Sequence, residues 1–412
     1  MNRLNANSFR VGFDDLSRGL IYLFFIISIA EPYLNELMGS VTKYYMFFVM
    51  FIVLQRDGYN LQLRRISIAY IVWLCVKVLS LLWSEDFTVP KMHAISQVGM
   101  VLFMVILLSS RSKGDMIRHI LDVYWIASIV LGVLSIFLTK TYLDIDEARQ
   151  VLYIMGVEID PNNQAALLLI GAAISAANIL YEKRRILASY IGLLISVYAC
   201  FMTSSRGAFI TLLVMAVFCI VYSGSEKRKF KDAISRIAFM LLILGAVYYI
   251  TVQYLPEASL ERLFDFSKYG DGSDRGALWE IIWDKVTEDP LAMLIGTGWG
   301  SAYKYLDGRA VHNTFLTFLS DTGIVGLLLF VLPILIATVR LMKQKRLTPV
   351  LLLLAQMVPA FFIDAINKRF FWNAIIILFV SYYSVPTQKC DRDELSERQK
   401  PITVRPLNQN GF

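Results

Sequence analysis

The amino-acid sequence predicts an all-α membrane protein that crosses the bilayer about twelve times and carries one large helical loop on the outer face. Of its 412 residues, 57% are hydrophobic and 13% are aromatic, and the mean hydropathy is +0.56. Apolar runs of membrane-spanning length recur along the chain, which a soluble core does not require. Basic residues are concentrated in alternate connections between these runs. These three observations together indicate a polytopic membrane protein.

A helix needs about 20 mostly apolar residues to cross a hydrocarbon layer about 30 Å thick. The segments that meet or approach this length are residues 19–33, 38–54, 66–83, 95–110, 119–139, 163–181, 186–202, 208–222, 237–254, 324–342, 349–365 and 371–385. The chain therefore divides into nine transmembrane helices in residues 1–254, a loop with amphipathic helices in residues 255–323, three more transmembrane helices in residues 324–385, and a tail in residues 386–412.

The distribution of lysine and arginine predicts the orientation of the spans, because basic residues are retained on the cytoplasmic side of a membrane. They cluster in every second connection: Arg3, Arg10 and Arg18; Arg56, Arg64 and Arg65; Arg111, Lys113 and Arg118; Lys183, Arg184 and Arg185; residues 227–236; and Arg340, Lys343, Lys345 and Arg346. Acidic residues such as Glu31, Glu85 and Asp160 fall in the other connections. Both termini are therefore expected in the cytoplasm and the 255–323 loop on the opposite face.

One basic pair does not fit this alternation. Lys368 and Arg369 lie on the outer side in this count, which indicates either contact with an anionic substrate or a miscounted helix. The net charge of +7 otherwise reflects topology, since the basic clusters lie against anionic lipid headgroups. Membrane lipids are expected partners, and nucleic acid is not.

The cysteines do not indicate a disulfide or a metal site. Cys75, Cys200 and Cys219 fall in predicted helices and Cys390 in the tail, without the spacing of metal ligands. We expect neither a metal nor a cofactor. Lys77 lies inside the third predicted span, where an unpaired charge is costly, so we expect it to face the bundle in a structural or a proton-related role.

The large outer loop, of about 60 residues between confident spans, carries most of the functional signal. Its segment "RGALWEIIWDKV" places Leu278, Ile281, Ile282 and Val286, with Trp279 and Trp283, at helical spacing. This spacing predicts an amphipathic helix on the membrane or over the bundle.

The glycine-rich segment that follows, with Gly296, Gly298 and Gly300, follows no parallel strand, and no lysine completes a P-loop. A tight turn near a ligand or another backbone is therefore expected, and a nucleotide site is not.

Three residues stand out for chemistry on the outer face. Arg206 in "TSSRGAF" occupies a very short connection, Arg275 in "GSDRGALW" starts the amphipathic helix, and His312 in "VHNTF" precedes the next apolar run. Each also has a structural interpretation. Arg206 would anchor a helix end by reaching the headgroups, Arg275 would pair with Asp271 or Asp274, and His312 would cap a helix. His93 and His119 are expected to be structural.

These patches resemble the O-antigen ligase and O-antigen polymerase superfamily, bacterial lipid-linked glycan transferases. The strongest is "GTGWGSAYKYLDGRAVHNTFLTFLSDTGIVG"; the others are "TSSRGAF", "GSDRGALW", "LSLLWSED" and "VEIDPNNQAALLL". The resemblance covers most of the chain in layout but only these patches in residues. It implies a GT-C-like fold in the bacterial inner membrane, with glycan transfer from undecaprenyl diphosphate to an acceptor at the periplasmic face, without nucleotide sugar or an obligatory metal.

The residue types suit that reaction. Arginine is permanently charged and grips phosphate oxygens bidentately, so Arg206 and Arg275 are expected to stabilise the departing diphosphate. Neutral His312 is the expected general base for a sugar hydroxyl, and direct attack would invert the anomeric centre. The helix start after His312 and the charge of Arg309 are expected to keep the imidazole neutral. The expected substrate-binding residues are Arg309, Asn313, Asn162 and Trp299.

Within this superfamily, a single dominant outer loop favours an O-antigen ligase, which joins O-antigen to the lipid A-core acceptor. A repeat-unit polymerase would more often carry two comparable outer loops, and protein O-oligosaccharyltransferases share the same patches. A transporter is the alternative from another class. Transport predicts ionisable groups and broken helices near the bilayer midplane, whereas here the unusual charges concentrate on the outer face and Lys77 is the clear exception.

Overall fold

The chain folds into a helical bundle whose long apolar helices confirm the all-α polytopic membrane class. The computed structural model describes residues 2–59, 62–110, 114–144, 147–223, 257–264 and 275–384, with scattered positions between 234 and 255. The predicted span 237–254 and the predicted tail 386–412 therefore lie largely or wholly outside the described residues.

The helices follow the predicted order of spans. Their bounds are α1 Asn2–Met38, α2 Val41–Asp57, α3 Arg65–Leu79, α4 Thr88–Ser109, α5 Gly114–Phe137, α6 Pro161–Ala177, α7 Ile186–Met202, α8 Arg206–Ser223, α9 Glu257–Phe264, α10 Arg275–Thr287, α11 Pro290–Ile295, α12 Ser301–Tyr305, α13 Thr314–Lys343, α14 Thr348–Met357 and α15 Arg369–Tyr383. Short helical turns at Ser80–Trp83, Asn178–Glu182 and Pro359–Phe361 extend or follow α3, α6 and α14.

Six helical segments of the described chain are long and apolar enough to cross a membrane, and several shorter apolar helices accompany them. The six are Gly12–Met38, Arg65–Trp83, Thr88–Ser109, Met116–Phe137, Pro161–Glu182 and Thr314–Lys343. The shorter ones are Ile186–Met202, Arg206–Tyr222, Thr348–Phe361 and Arg369–Tyr383. Each coincides with a predicted span, although the number of crossings stays a prediction.

The connection between α5 and α6 contains strands that the sequence pattern did not predict. Thr139–Asp144 (β1) pairs antiparallel with Glu147–Ile154 (β2), which pairs with Val157–Glu158 (β3). Gln164 fixes this sheet to the bundle, because its Oε1 accepts from the Leu152 amide at 3.0 Å while its Nε2 donates to Ser135 Oγ at 3.1 Å. The sheet therefore lies over the start of α6.

Helix α6 is the central helix of the bundle and packs against α5, α7 and α14. Nearly all of its side chains are buried. At Gly171 an added Cβ would lie 2.5 Å from Ser196 Oγ and 2.9 Å from Ser128 Oγ. Small residues at such positions let transmembrane helices approach closely, which is how tight packing is reached where lipid supplies no hydrophobic drive.

Polar contacts near the ends of the helices fall into two groups, one at each end of the bundle. At the end with the predicted cytoplasmic connections, the contacts join Arg56 with Ser17, Arg184 with Asp122, and Arg346 with the carbonyl of Ser381. At the other end they join Glu31 with Arg369 and Glu85 with Lys304. Each pair joins parts of the chain that the sequence assigns to one face, which supports the predicted alternation.

Arg369, the basic residue that did not fit the charge alternation, is buried. It forms an ion pair with Glu31, and its Nη1 donates to Thr42 Oγ1 at 2.8 Å. Its side chain is 1% exposed. A buried guanidinium with a carboxylate partner is a structural element of the helix junction. The pair therefore gives Arg369 a structural role at this junction, whichever side of the membrane it lies on.

Helix α13 begins at Thr314, ahead of the predicted span at 324–342, and its regular geometry is interrupted at Gly323 (φ 64°, ψ −167°). A Cβ at Gly323 would lie 2.3 Å from the carbonyl carbon of Leu294. In the glycine-rich segment, Cβ atoms at Gly296 and Gly298 would lie 2.4 Å from the Thr322 amide nitrogen and 2.6 Å from Ser84 Cα. These glycines serve close backbone approach, as the sequence predicted.

Candidate functional site

Arg206 is the first residue of α8 and follows a three-residue connection whose conformation is fixed by hydrogen bonds. Thr203 Oγ1 donates to the Cys200 carbonyl at 2.7 Å, and the Ser204 amide donates to the Phe201 carbonyl at 2.9 Å. The Arg206 side chain is partly exposed. Because the turn is rigid, the backbone of Arg206 is held in place, and its partly exposed guanidinium can contact an anionic ligand from a fixed position.

The start of α6 lies beside this turn. Ser205 Oγ donates to Asn162 Oδ1 at 2.9 Å. Asp160 caps α6, since its carboxylate accepts from the amides of Asn162 and Asn163 at 2.9 and 3.0 Å. Capping by aspartate is favoured at this position, and Pro161 follows at the first helical position. The Asp160 carboxylate is thereby held at the outer end of the bundle.

His312 lies at the entrance to α13 in a left-handed conformation (φ 53°) with its side chain exposed. Asn313 caps the helix, because its Oδ1 accepts from the amides of Phe315 and Leu316 at 3.1 Å each. The predicted capping role therefore belongs to Asn313, whose side-chain oxygen is occupied.

Thr314 ties this turn to the connection between α14 and α15. Its Oγ1 donates to the Ile363 carbonyl and accepts from the Ala365 amide, both at 2.8 Å. Ile363 in turn lines a small space together with Asn162, Ser205 and residues at the start of α8. The turn that carries His312, the turn that carries Arg206 and the start of α6 therefore meet at one end of the bundle.

Arg275 is the first residue of α10, the predicted amphipathic helix. The face of α10 formed by Leu278, Ile282 and Val286 is buried against the loop. Trp279 Nε1 donates to the Val311 carbonyl at 2.9 Å, which fixes α10 beside the residue that precedes His312. The alternative partners of Arg275, at positions 271 and 274, lie outside the described residues.

Electrostatic interactions connect Arg275, His312 and Asp160. Burial lowers the pKa of Arg275, with Asp160 acting to raise it and Arg149 to lower it; arginine nonetheless stays protonated at neutral pH. The surrounding protein lowers the pKa of His312 by hindering hydration of the imidazolium, Arg275 lowers it further, and Asp160 opposes both. The neighbouring guanidinium that acts on His312 is thus Arg275, where the sequence suggested Arg309. Both lowering effects favour the neutral imidazole, the form that can accept a proton.

A cavity of about 110 Å³ is lined in part by Val311, the residue before His312, although His312, Arg206 and Arg275 are not among its lining residues. Trp299 and Arg309, two of the expected substrate-binding residues, line it. Trp299 is 1% exposed, and its carbonyl accepts from Ser84 Oγ at 2.7 Å. His93, expected to be structural, also lines the cavity, whereas His119 stacks on Tyr22 with ring centroids 5.6 Å apart.

Lys77 is fully buried beside the cavity and has a carboxylate partner. Its Nζ lies 2.9 Å from Asp321 Oδ2, and the other Asp321 oxygen accepts from the Gly300 amide at 3.0 Å. The ammonium also lies over the Trp299 ring, 4.9 Å from its centroid. This arrangement supports the structural role for Lys77, because the pair joins α3, the glycine-rich segment and α13.

The comparisons with known proteins bear on the same region. Residues 191–331 match the family model described as O-antigen ligase. Over these residues the chain is similar to that family. This confirms the resemblance to the O-antigen ligase and polymerase superfamily, whose members are glycosyltransferase-like membrane enzymes. No curated protein matches the chain. The matched residues include Arg206, Arg275, Arg309 and His312. Outside the match, Arg149 and Asp160 interact electrostatically with Arg275, and Asn162 accepts a hydrogen bond from Ser205.

Sequence reasoning missed two charged residues of this cluster. Arg149 is 5% exposed on β2 and close enough to Arg275 to lower its pKa. Asp160 was assigned only to the acidic outer connections. The available signal for Arg149 was an arginine in a mostly acidic outer connection. For Asp160 it was the "DPNN" helix start.

Proposed function

We propose that the protein is an O-antigen ligase of the bacterial inner membrane. It transfers O-antigen polysaccharide from undecaprenyl diphosphate to a sugar hydroxyl of the lipid A-core oligosaccharide at the periplasmic face. The observation that carries the proposal is that the turns carrying Arg206 and His312 meet the start of α6 at one end of the bundle, within and beside the residues that match the O-antigen ligase family. Electrostatic interaction among Arg275, His312 and Asp160 supports it. Both termini would lie in the cytoplasm, with the cluster on the periplasmic side.

In this reaction the bond between the anomeric carbon and the diphosphate oxygen breaks, and its electron pair stays on the leaving diphosphate. Arg206 and Arg275 would bind the diphosphate oxygens, whose negative charge grows in the transition state. A fixed cation that meets charge only as it develops lowers the barrier by a few kcal/mol. No metal is required for this role, because the guanidinium groups supply the positive charge.

The acceptor hydroxyl attacks the anomeric carbon from the side opposite the diphosphate, so the configuration inverts. Neutral His312 would take the hydroxyl proton as the new carbon–oxygen bond forms, a contribution of about 10² to 10⁴ in rate. The proton then passes to solvent, since the His312 side chain is exposed. Asp160 would stabilise the transient imidazolium, because its carboxylate raises the pKa of His312.

The test is complementation of a deletion strain with His312→Ala, Arg206→Ala or Arg275→Ala. We expect each variant to leave long glycan on undecaprenyl diphosphate and the lipid A core bare. His119→Ala and Arg340→Ala are matched controls, because both residues contact tyrosine rings at the other end of the bundle, and they should retain the wild-type ladder.

Two outcomes of that complementation would refute the proposal. A core bearing a single repeat in the variants would indicate a repeat-unit polymerase. A wild-type ladder from all three site variants at normal abundance would refute the site. Uptake of glycan into sealed vesicles by the purified protein would indicate a transporter instead.

A further inference from the structure

The cavity beside Lys77 contains buried hydrogen-bond acceptors that the protein does not satisfy. Gln97 is 1% exposed; its Nε2 donates to Asn367 Oδ1 at 2.7 Å, but its Oε1 has no hydrogen-bond partner among the described residues. Asp364 Oδ1 is likewise buried and without such a partner in the described chain. Both residues line the cavity. A buried acceptor left unsatisfied costs about 1–3 kcal/mol, so these oxygens call for a donor from a ligand or water.

The remaining lining residues define the chemistry of that donor. Lys77, Arg309 and Asn367 supply hydrogen-bond donors, while Val89 and Val311 supply apolar walls. A ligand that fits must both donate and accept hydrogen bonds and carry apolar C–H surface. Polyhydroxylated rings have these properties. A volume of about 110 Å³ holds roughly seven water molecules at about 15 Å³ each, which is enough space for a ligand of the size of one sugar ring.

The location of the cavity decides which sugar it would hold. Val311, immediately before His312, lines the cavity, whereas Ile363, immediately before Asp364, lines the space beside Asn162. The cavity and the small space beside Asn162 therefore lie next to the same two chain segments, the turn that carries His312 and the connection that carries Ile363 and Asp364. If the diphosphate lies beside Arg206 and Asn162, as the proposed function has it, this cavity is available to the acceptor sugar on the other side of the 363–364 segment.

We propose that this cavity binds one sugar ring of the acceptor glycan, with Gln97 and Asp364 accepting hydrogen bonds from its hydroxyls and Asn367 and Arg309 donating to them. This inference rests on the proposed transfer reaction. It assigns a substrate-binding role to Gln97, Asp364 and Asn367, and it places the acceptor hydroxyl near His312.

The test uses the purified full-length protein with undecaprenyl-diphosphate-linked glycan and lipid A-core, measuring the KM of each substrate separately. Gln97→Met preserves length and removes the acceptor oxygen, so the KM for lipid A-core should rise about tenfold. The KM for the lipid-linked donor should not change. Val89→Phe fills the cavity wall and should raise the acceptor KM at least as much. Thr88→Phe, at the exposed neighbouring position, is the matched control and should retain both values.

Three results would overturn the inference. A selective rise in donor KM for Gln97→Met or Val89→Phe would place a donor sugar in the cavity. Unchanged KM values in folded variants would show that the cavity holds only water. If the wild-type protein transfers no glycan, the proposed function fails, and calorimetry with free core oligosaccharide then tests the cavity alone. Binding by wild type and loss in Val89→Phe would support it, and no binding by wild type would refute it.

Discussion

Replacing Lys77 by methionine should destabilise the protein far more than breaking an ion pair of the same length at the surface. Lys77 Nζ lies 2.9 Å from Asp321 Oδ2, with the two side chains 1% and 3% exposed. Lys285 Nζ also lies 2.9 Å from Glu288 Oε2, but those side chains are 43% and 61% exposed. The two ion pairs therefore have the same N–O distance and differ in how far their side chains are buried.

The expected magnitudes follow from what each substitution leaves behind. Lys77→Met leaves the Asp321 carboxylate buried, with the Gly300 amide as its remaining hydrogen-bond donor, which costs about 3–5 kcal/mol. In Lys77→Met/Asp321→Asn the buried charge is gone and the Gly300 amide keeps an acceptor. The double variant should therefore be more stable than Lys77→Met alone, with a coupling of about 2–3 kcal/mol.

The assay is reversible unfolding in detergent, with Lys285→Met as the surface control at less than about 1 kcal/mol. The reasoning is refuted if Lys77→Met and Lys285→Met cost the same, or if the double variant is as unstable as the sum of its single substitutions. Retained stability in Lys77→Met would also reopen a proton-related role for Lys77.

Three further predictions concern the site and its loop. Asp160→Asn retains the helix cap but removes the charge that raises the pKa of His312. The acidic limb of the pH–rate profile for glycan transfer should therefore move to lower pH. A shift to higher pH would contradict the role of His312 as the base. Arg149→Ala removes a cation beside Arg275, so the KM for the lipid-linked donor should rise about tenfold. An unchanged donor KM would contradict this prediction. Gly298 has a φ of 102°, and an added Cβ would lie 2.6 Å from Ser84 Cα. Gly298→Ala should therefore lower the stability in thermal unfolding by more than about 1 kcal/mol. A neutral effect would contradict this close packing.

Hydropathy predicted the helical bundle well because membrane spans are set by runs of side-chain type. The predicted span 186–202 coincides with α7, and the amphipathic helix at Arg275–Thr287 forms with Leu278, Ile282 and Val286 buried. Ile281 and Trp283 of the same helix are exposed, so the apolar stripe is wider than the surface that the loop covers. That extra apolar surface is consistent with a helix lying at a membrane.

The features that the sequence did not predict depend on partners distant along the chain. The start of α13 at Thr314 is polar in sequence but buried, because Thr314 bonds the Ile363 carbonyl and Asp321 pairs with Lys77. The β1–β2 hairpin carries no apolar alternation strong enough to distinguish it from a loop, and Gln164 fixes it to the bundle. Hydropathy ranks residue types one at a time and carries no information on such pairings.

The candidate site likewise contains residues that the sequence pointed to and residues that it did not. The sequence points to Arg206, Arg275 and His312 through the chemistry of a diphosphate leaving group and a hydroxyl acceptor, and their roles stay predictions. The contribution of Arg149 and Asp160 was not predictable, because it arises only when the 139–160 connection folds over the start of α10 and α13. Charge patterning predicted the outer side for Asp160 but did not predict its neighbours.

The central claim is that a neutral His312 acts as the base in glycan transfer at an arginine-lined site. The most direct measurement is the single-turnover rate of purified His312→Ala with lipid-linked glycan and lipid A-core. The account predicts a fall of about 10² to 10⁴ at an unchanged donor affinity. A wild-type rate from His312→Ala would contradict it.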